Sequence, residues 1–167
     1  YSVSAGEEAN RTLLDLLALT NRGLPLHQPE LEGFTKQLIR FIATHSDIIV
    51  SELDYNVTGG LATDIYPKKL PHLYRNETLS VYGRFPKGTE EIAVQLIGRN
   101  AQGKLEEVVF RGRVDESRSV GKELRSDWLA HKAFNMLVQS IITPSPQQQA
   151  QLENFVKTHG IQLPYLN

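Results

Sequence analysis

The spacing of the apolar residues changes twice along the chain, and these changes constrain the fold more than any other feature of the sequence. Up to about residue 45, short strand-like segments alternate with segments of helical periodicity. Apolar and polar residues then alternate as far as Val114, and from Leu129 onward apolar residues recur every four positions. The sequence therefore predicts an α+β fold: a strand-helix-strand-helix piece of an α/β sheet, then an antiparallel β-sandwich-like domain, then two C-terminal helices.

The first predicted region covers residues 1–45. A strand at "YSVSA" is followed by a leucine-rich helix, which Asn10 can cap and Gly23 can end. A second strand at "LPLH" leads to a helix that is expected to begin at Pro29. The apolar face of this helix comprises Leu31, Phe34, Leu38, Phe41 and Ile42. Two parallel strands are too few for a complete α/β domain, so the region is predicted to be the end of a larger sheet.

The second predicted domain covers residues 46–120. Its alternating segments are separated by turn sequences such as "TGG", "FPKG" and "RNAQG". The alternating residues are Ile49, Leu53, Tyr55, Leu79, Val81, Phe85, Ile92, Val94, Leu96, Val108, Phe110 and Val114. Such alternation is typical of antiparallel strands that bury one face.

The third predicted domain, residues 121–167, is helical and is expected to pack on the β domain. The broad apolar stripe of its first helix is predicted to comprise Leu129, Ala133, Leu137, Ile141, Ala130, Phe134, Val138 and Ile142. We expect Phe134 to be buried. The opposite, solvent-facing side is predicted to carry His131, Asn135 and Gln139. A second helix is predicted to have Ser145 as its N-cap, Pro146 at its first position and Gly160 at its end.

The composition argues against several classes of protein. The 167 residues carry a formal net charge of −1, which gives no electrostatic reason to bind nucleic acid. No apolar run reaches the roughly 18 residues that span a bilayer, so no membrane span is predicted. A chain without cysteine has neither a disulfide framework nor a thiol nucleophile. The first residue is Tyr1 rather than Met, which we interpret as a fragment or a processed form.

Catalytic motifs are not found in the sequence. The five histidines are scattered, and none has the spacing of a zinc-binding pair. The chain contains no G-x-S-x-G motif, no P-loop and no dinucleotide-binding fingerprint. We therefore predict that the chain is not an enzyme, and we assign no catalytic, cofactor-binding or metal-binding residue.

One stretch, "YPKKLPHLYRNETLSVYGRF", has both a structural and a functional interpretation. Pro67 and Pro71 fix their backbone dihedral angles and lack N–H donors, which is typical of an edge or a connection between strands. Gly83 within an apolar alternation indicates a bulge or a close approach of two backbones. In the functional alternative, four residues form an anion-binding patch: Lys68, Lys69, His72 and Arg75. We favour the structural interpretation.

Several motifs, taken in order, resemble a known family. They are "YSVSAGEEANRTLLDLLALTNRG", "LEGFTKQLIRFIATHSDIIVSELDY", the stretch above, and "DWLAHKAFNMLVQSI" followed by "THGIQLPY". The ordered set is similar to the inter-alpha-trypsin inhibitor heavy chains and their bacterial relatives, which carry a VIT domain and a von Willebrand factor A domain. The C-terminal matches are Trp128, Ala130, Gly160, Ile161, Pro164 and Tyr165.

This resemblance implies a role and a location. Residues 1–45 would be the end of an A domain, and the chain would be a non-catalytic structural or interaction module. It would support an adhesive or partner-binding A domain at the cell envelope, in the periplasm or outside the cell. The family's metal-binding D-x-S-x-S motif does not occur in this sequence, so no divalent cation is expected to bind here.

A protein partner is expected to cover residues 1–45. Three candidates could cover it: the β region of the same chain, a second copy of the chain, or the remainder of the A domain that the resemblance implies. We place Val3, Leu13, Leu17 and Phe34 at a contact between chains. The alternative function is a glycan- or ligand-binding β-sandwich that uses surface aromatic residues. Its candidates are Tyr55, Tyr74, Tyr82 and Trp128.

Overall fold

The computed structural model describes residues 1–58, 64–114 and 122–161, so the motif residues Pro164 and Tyr165 lie outside the described residues. The elements are β1 (Ser2–Ala5), α1 (Arg11–Thr20), β2 (Pro25–Gln28), α2 (Phe34–Thr44), β3 (Ile48–Thr58), β4 (Leu73–Tyr74), β5 (Glu91–Asn100), β6 (Leu105–Arg113), α3 (Lys122–Ile142) and α4 (Pro146–His159). The predicted α+β class and the two C-terminal helices are confirmed.

The N-terminal elements form the predicted strand-helix-strand-helix unit. Strands β1 and β2 pair in parallel, with Ser2 opposite Pro25 and Ala5 opposite Gln28. Helix α1 begins after Asn10, whose side chain accepts a hydrogen bond of 3.0 Å from the backbone N–H of Leu13. This cap satisfies one of the N–H groups that the first helical turn leaves without a partner.

Helix α2 begins at Phe34, so the prediction that it begins at Pro29 is wrong. Gly33 has φ of 76°, in the left-handed region, and a right-handed helix cannot continue through such a residue. Residues 29–33 form bends and turns instead. Leu31 therefore lies outside the helix, and its side chain is exposed.

The middle of the chain forms one antiparallel sheet of four strands in the order β4-β3-β5-β6. The segment with Leu79, Val81 and Phe85 is not a strand of this sheet, contrary to the prediction from its alternation. It makes a single bridge, in which Tyr66 and Tyr82 exchange two backbone hydrogen bonds of 2.7 Å. An irregular extended segment has the same period of two as a strand, so alternation alone does not distinguish them.

The chain divides into two compact units, each built from three separate segments. Unit 1 comprises Tyr1–Tyr55, Lys69–Leu79 and Gln95–Val109. Unit 2 comprises Asn56–Lys68, Ser80–Val94 and Phe110–Asn167. Strands β3, β5 and β6 each contribute residues to both units. The predicted domain boundaries at residues 45/46 and 120/121 stay predictions.

Each unit has its own buried core. In unit 1 the buried residues include Ala18, Leu53, Leu70 and Tyr74. In unit 2, α3 and α4 pack together through Ala133, Leu137 and Leu152. Met136, Phe155, Val156 and Ile161 surround this cluster.

The buried face of α3 is the centre of the predicted stripe, where Ala133, Leu137 and Val138 are buried. Ala130 is exposed, and 64% of Ile142 is exposed, so both ends of that stripe face solvent. Phe134 is only half-buried, while His131, predicted to face solvent, stacks on Tyr82 with ring centroids 5.1 Å apart. An amphipathic pattern gives the apolar side of a helix, but a helix with two neighbours also buries polar side chains.

The caps of α4 agree with the sequence. Ser145 accepts a hydrogen bond of 3.1 Å from the N–H of Gln148, and Pro146 is the first helical residue. Gly160 ends the helix in the left-handed conformation, with φ of 61°.

Candidate interaction surface

Helix α1 is oriented with leucines toward solvent. It buries Asp15 and Ala18, whereas 49% of Leu13 and 51% of Leu17 is exposed. Leu13 and Leu17 are four residues apart, so they lie on the same side of the helix. We name these two residues the α1 patch. An amphipathic helix on a protein surface normally buries its leucines and exposes its carboxylates, so the α1 patch is the reverse of the usual arrangement.

A second exposed apolar surface belongs to α2 and β1. Ile39 and Ile42, three residues apart on α2, are mostly exposed, and Val3 on β1 is 40% exposed. We name these three residues the α2 patch. Val3 and Ile42 also line a cavity of about 470 Å³ in unit 1. The other residues of its wall are Tyr1, Leu38, Phe41, His45, Ser46 and Ile48.

The polar groups of the cavity wall are hydrogen-bonded within the protein. The Tyr1 hydroxyl donates to the backbone carbonyl of His45 at 2.6 Å, and the Ser46 hydroxyl donates to Ala43 at 3.2 Å. The two ring nitrogens of His45 lie 2.7 Å from the carbonyl oxygen of Phe41 and 3.2 Å from a carboxylate oxygen of Glu77. The cavity therefore offers mainly apolar contact, which suits an aliphatic or aromatic group.

An aromatic cluster supports the wall of the cavity. Phe41 and His45 have ring centroids 4.4 Å apart, and Tyr74 meets His45 edge to face at 5.1 Å. Tyr1 meets Phe41 edge to face at 5.4 Å. Burial, together with a hydrogen bond to the Tyr1 side chain, raises the pKa of the Tyr74 phenol well above its usual range. Tyr74 is therefore a neutral core residue.

The four basic candidates of the sequence have separate environments. Lys69 donates to the carbonyl of Thr20 at 3.1 Å, and Arg75 pairs with Asp47 at 2.5 Å. His72 has a buried Nδ1 without a hydrogen-bond partner among the described residues, and burial, followed by Arg22, lowers its pKa. These three lie in unit 1, whereas Lys68 lies in unit 2, with its ammonium 4.7 Å from the ring centroid of Tyr66. The anion patch stays a prediction.

Several contacts around Trp128 in unit 2 were not predicted from the sequence. The indole N–H of Trp128 donates to the backbone carbonyl of Asp64 at 2.8 Å. The ammonium of Lys132 lies 3.0 Å from the Asp64 carboxylate and 4.9 Å from the indole centroid. The guanidinium of Arg84 lies 5.5 Å from the same ring. The spacing of Trp128 and Lys132 on a helix is visible in the sequence, but their partner is more than sixty residues away.

The aromatic candidates for glycan binding are largely covered. Only 2% of Tyr74 is exposed, so it has no face available to a sugar. Tyr55, Tyr82 and Trp128 are half-buried, and Tyr82 and Trp128 contact His131 and Lys132 respectively. A glycan platform needs aromatic faces that are open to solvent, so this set offers little surface for one.

Within the described ranges, 1–58, 64–114 and 122–161, no group of three or more His, Asp or Glu side chains could hold a metal ion. No helix in these ranges combines the length and the apolar character needed to cross a bilayer.

No protein-family model matches the chain, and no curated protein matches it significantly.

Proposed function

We propose that the chain is a non-catalytic protein-interaction module, whose residues 1–45 bind the remainder of a von Willebrand factor A-type α/β domain at the cell envelope or outside the cell. The observation that carries this proposal is the α1 patch. Leu13 and Leu17 face solvent while Asp15 on the same helix is buried. A protein surface packed on this helix would remove both leucines from water.

The small size of the parallel sheet is a second reason to propose a partner, which would add strands to it. Parallel strands are normally covered by helices on both faces and belong to sheets of several strands. Strands β1 and β2 pair only with each other in the part of the chain that the structure describes. A partner strand at the free edge of either one would extend the sheet and satisfy its outward backbone groups.

The identity of the partner rests on the resemblance and on the chemistry of the α1 and α2 patches. In an A domain, the strands and helices that precede this unit in the chain would pack against it. Both patches are apolar, and the cavity beside Val3 can receive an apolar side chain. The preceding part of an α/β domain would supply such side chains.

The non-catalytic part of the proposal rests on how the polar groups are used. Tyr1, His45 and Ser46, in the wall of the apolar cavity of unit 1, are hydrogen-bonded to backbone carbonyls of the protein itself. A general base must lie within hydrogen-bonding distance of the substrate, and these side chains are instead hydrogen-bonded to the protein's own backbone.

Fragment complementation tests the proposed function. The probe is the part of an A domain that precedes its last two strand-helix units, produced as a separate chain and titrated by calorimetry. We expect saturable binding, because the probe would cover the α1 and α2 patches. Leu17→Lys should weaken binding by about tenfold or more, because the lysine charge would be buried without a partner.

Ile142→Lys is the matched control, since it also replaces an exposed aliphatic residue but lies on α3. It should leave the affinity unchanged within about twofold. Absence of binding by the parent chain at high micromolar concentration would overturn the proposal. Equal affinities of the Leu17→Lys variant and the parent would show that α1 is not at the contact.

A further inference from the structure

Strand β6 is a long edge strand with apolar side chains exposed. It is the last strand of the four-stranded sheet, and every residue from Leu105 to Arg113 is exposed. Val108 is 50% exposed and Phe110 is 57% exposed. Natural edge strands of this length are usually protected by proline, a bulge or a covering segment. No other strand pairs with the outer edge of β6 among the described residues.

The β5–β6 hairpin determines which backbone groups face that outer edge. The N–H of Asn100 donates to the carbonyl of Lys104 at 3.0 Å, and the N–H of Val114 donates to the carbonyl of Glu90 at 2.9 Å. Both ends of the hairpin thus keep the same register. In an antiparallel ladder, successive residues direct their N–H and C=O groups to opposite sides. Even-numbered residues of β6 therefore bond to β5, and the odd-numbered residues face outward.

The sequence of β6 is complementary to itself in the antiparallel direction. Its acidic residues, Glu106 and Glu107, lie near the start, and its basic residues, Arg111 and Arg113, lie near the end. Placing Val109 opposite its own copy puts Glu107 opposite Arg111 on both sides of the axis. In the same register Val108 faces Phe110, and all nine residues of the strand are paired.

We propose that β6 pairs antiparallel with β6 of a second copy of this chain, centred on Val109. The outward N–H and C=O groups of Val109, Glu107 and Arg111 then form hydrogen-bonded pairs, as the ladder requires. The contact is isologous, so each copy uses its β6 edge once and the assembly closes as a dimer. The sheet of each copy continues into that of the other.

Neighbouring registers fit less well. Opposite residues must both have outward backbone groups or both have inward ones, so the axis can move only by whole residues. An axis at Val108 puts the Glu106 carboxylate opposite Phe110 and leaves Arg111 opposite Leu105. An axis at Phe110 puts Glu107 opposite Arg113, but it puts Arg111 opposite Val109 and leaves Leu105 and Glu106 without a partner in β6. The register centred on Val109 places Glu107 and Arg111 opposite each other while all of β6 is paired.

The charge pairing cannot form within one chain. The α-carbons of two residues four apart on a strand are separated by roughly 13 Å, too far for Glu107 and Arg111 of one chain to form a close salt bridge. The amide of Gln95 donates to one carboxylate oxygen of Glu107 at 2.7 Å, which fixes this side chain on its face of the sheet. The negatively charged carboxylate of Glu107 can therefore pair with the guanidinium of Arg111 from the second copy.

Sedimentation equilibrium over a range of concentrations tests the pairing. We expect the full chain to be a dimer at high micromolar concentration and to dissociate on dilution. A chain that stays monomeric at all concentrations overturns the proposal. Assemblies larger than a dimer that persist in the Val109→Pro variant also overturn it, because closed pairing of β6 cannot produce them.

Charge reversal separates this pairing from other modes of association. Glu107→Arg alone places like charges opposite each other twice per dimer, and it should weaken the dimer by about tenfold or more. The double variant E107R/R111E restores opposite charges and should recover the parent affinity within about threefold. The control E106R/R111E has the same net charge, but it places Glu107 opposite a second carboxylate at position 111 and leaves Gly112 opposite position 106, so it should stay weak. Equal affinities of the two double variants overturn the register.

Proline substitution tests the outward edge directly. Val109→Pro removes an N–H that faces outward, so it should abolish the dimer while the hairpin with β5 persists. The thermal unfolding of this variant, followed at low concentration, reports whether the monomer is still folded. A folded Val109→Pro chain that dimerises as the parent does would overturn the proposal. Leu17→Lys, which changes the α1 patch, should leave this dimer intact, so the two proposals are tested independently.

Discussion

At the scale of single residues, Arg22 connects three parts of unit 1. Its guanidinium donates to the carbonyls of Leu53 and Leu70 and pairs with Asp54 at 2.6 Å. The residue has φ of 62°, a conformation that a non-glycine residue adopts at a cost of about 1 kcal/mol or more. Three charge-assisted hydrogen bonds offset that cost. No local pattern predicts this role, because the partners are thirty or more residues away in the sequence.

His72 makes stability depend on pH. Its pKa is lowered from the ordinary value of 6.5, first by burial and then by the charge of Arg22, so the folded protein favours the neutral ring. The unfolded chain takes up a proton near pH 6.5, while the folded chain does so only at lower pH. The contribution to stability is therefore complete above pH 6.5 and is lost as the pH falls through the folded pKa.

The measurement is urea unfolding of the parent and of His72→Gln at several pH values. We expect the free energy of unfolding of the parent to fall more steeply below pH 6.5 than that of the variant. His131, whose pKa burial also lowers, is present in both proteins, so the comparison cancels its contribution. Parallel curves for the two proteins would contradict the assignment to His72.

At the scale of elements, local chemistry in the sequence predicted the starts and ends of several helices. Asn10, Ser145 and Gly160 form caps as expected, because a cap depends on neighbours within a few residues. The start of α2 and the solvent-facing position of His131 on α3 were predicted wrongly. A glycine can lie inside a helix or just before it, so the residue type of Gly33 alone does not fix the start of α2. The burial of His131 on α3 depends on Tyr82, which is distant in the sequence.

The packing of α3 on α4 gives a stability prediction. Only 2% of Leu152 is exposed, and it contacts the cluster of Ala133 and Leu137. Leu152→Ala should lower the free energy of unfolding by about 2–5 kcal/mol, because it leaves a cavity. Ile142→Ala, at a position 64% exposed, should change it by less than about 0.5 kcal/mol. Urea unfolding measures both, and similar values would show that α4 does not pack as described.

A glycine on β5 gives a second prediction. A methyl group at Gly98 would clash with Cγ1 of Val50 and would lie 3.0 Å from the carbonyl oxygen of Ser51. Gly98→Ala should therefore destabilise unit 1 by about 1–3 kcal/mol through overpacking. A β-carbon at Gly112, on β6, would have no described atom within 4 Å.

Gly112→Ala is thus a matched control on the neighbouring strand, and it should be neutral or slightly stabilising. Thermal unfolding of the two variants is the measurement. If both lower the melting temperature equally, the effect comes from strand propensity rather than from the approach of β3 to Gly98.

At the scale of the whole molecule, apolar periodicity predicted the class of the fold but not the surfaces that it leaves open. The leucines of α1 were expected to pack, and we placed Leu13 and Leu17 at a contact with another chain. Both side chains are about half exposed in the structure, so they are accessible to such a contact. The complementarity of Glu107 and Arg111 was also present in the sequence, yet it has meaning only once β6 is known to be an edge strand.

The division of the chain into interleaved units has a practical consequence for mapping the binding of any partner. The backbone passes from one unit to the other after residues 55, 68, 79, 94 and 109. No single cut therefore releases an intact unit, and a chain ended at the middle would lack core residues of both. Truncated halves should be unfolded and sensitive to protease, so a failure of such a half to bind reports lost folding rather than a lost contact. Point substitutions at exposed positions, which leave every segment in place, are the variants that can locate a binding surface on this molecule.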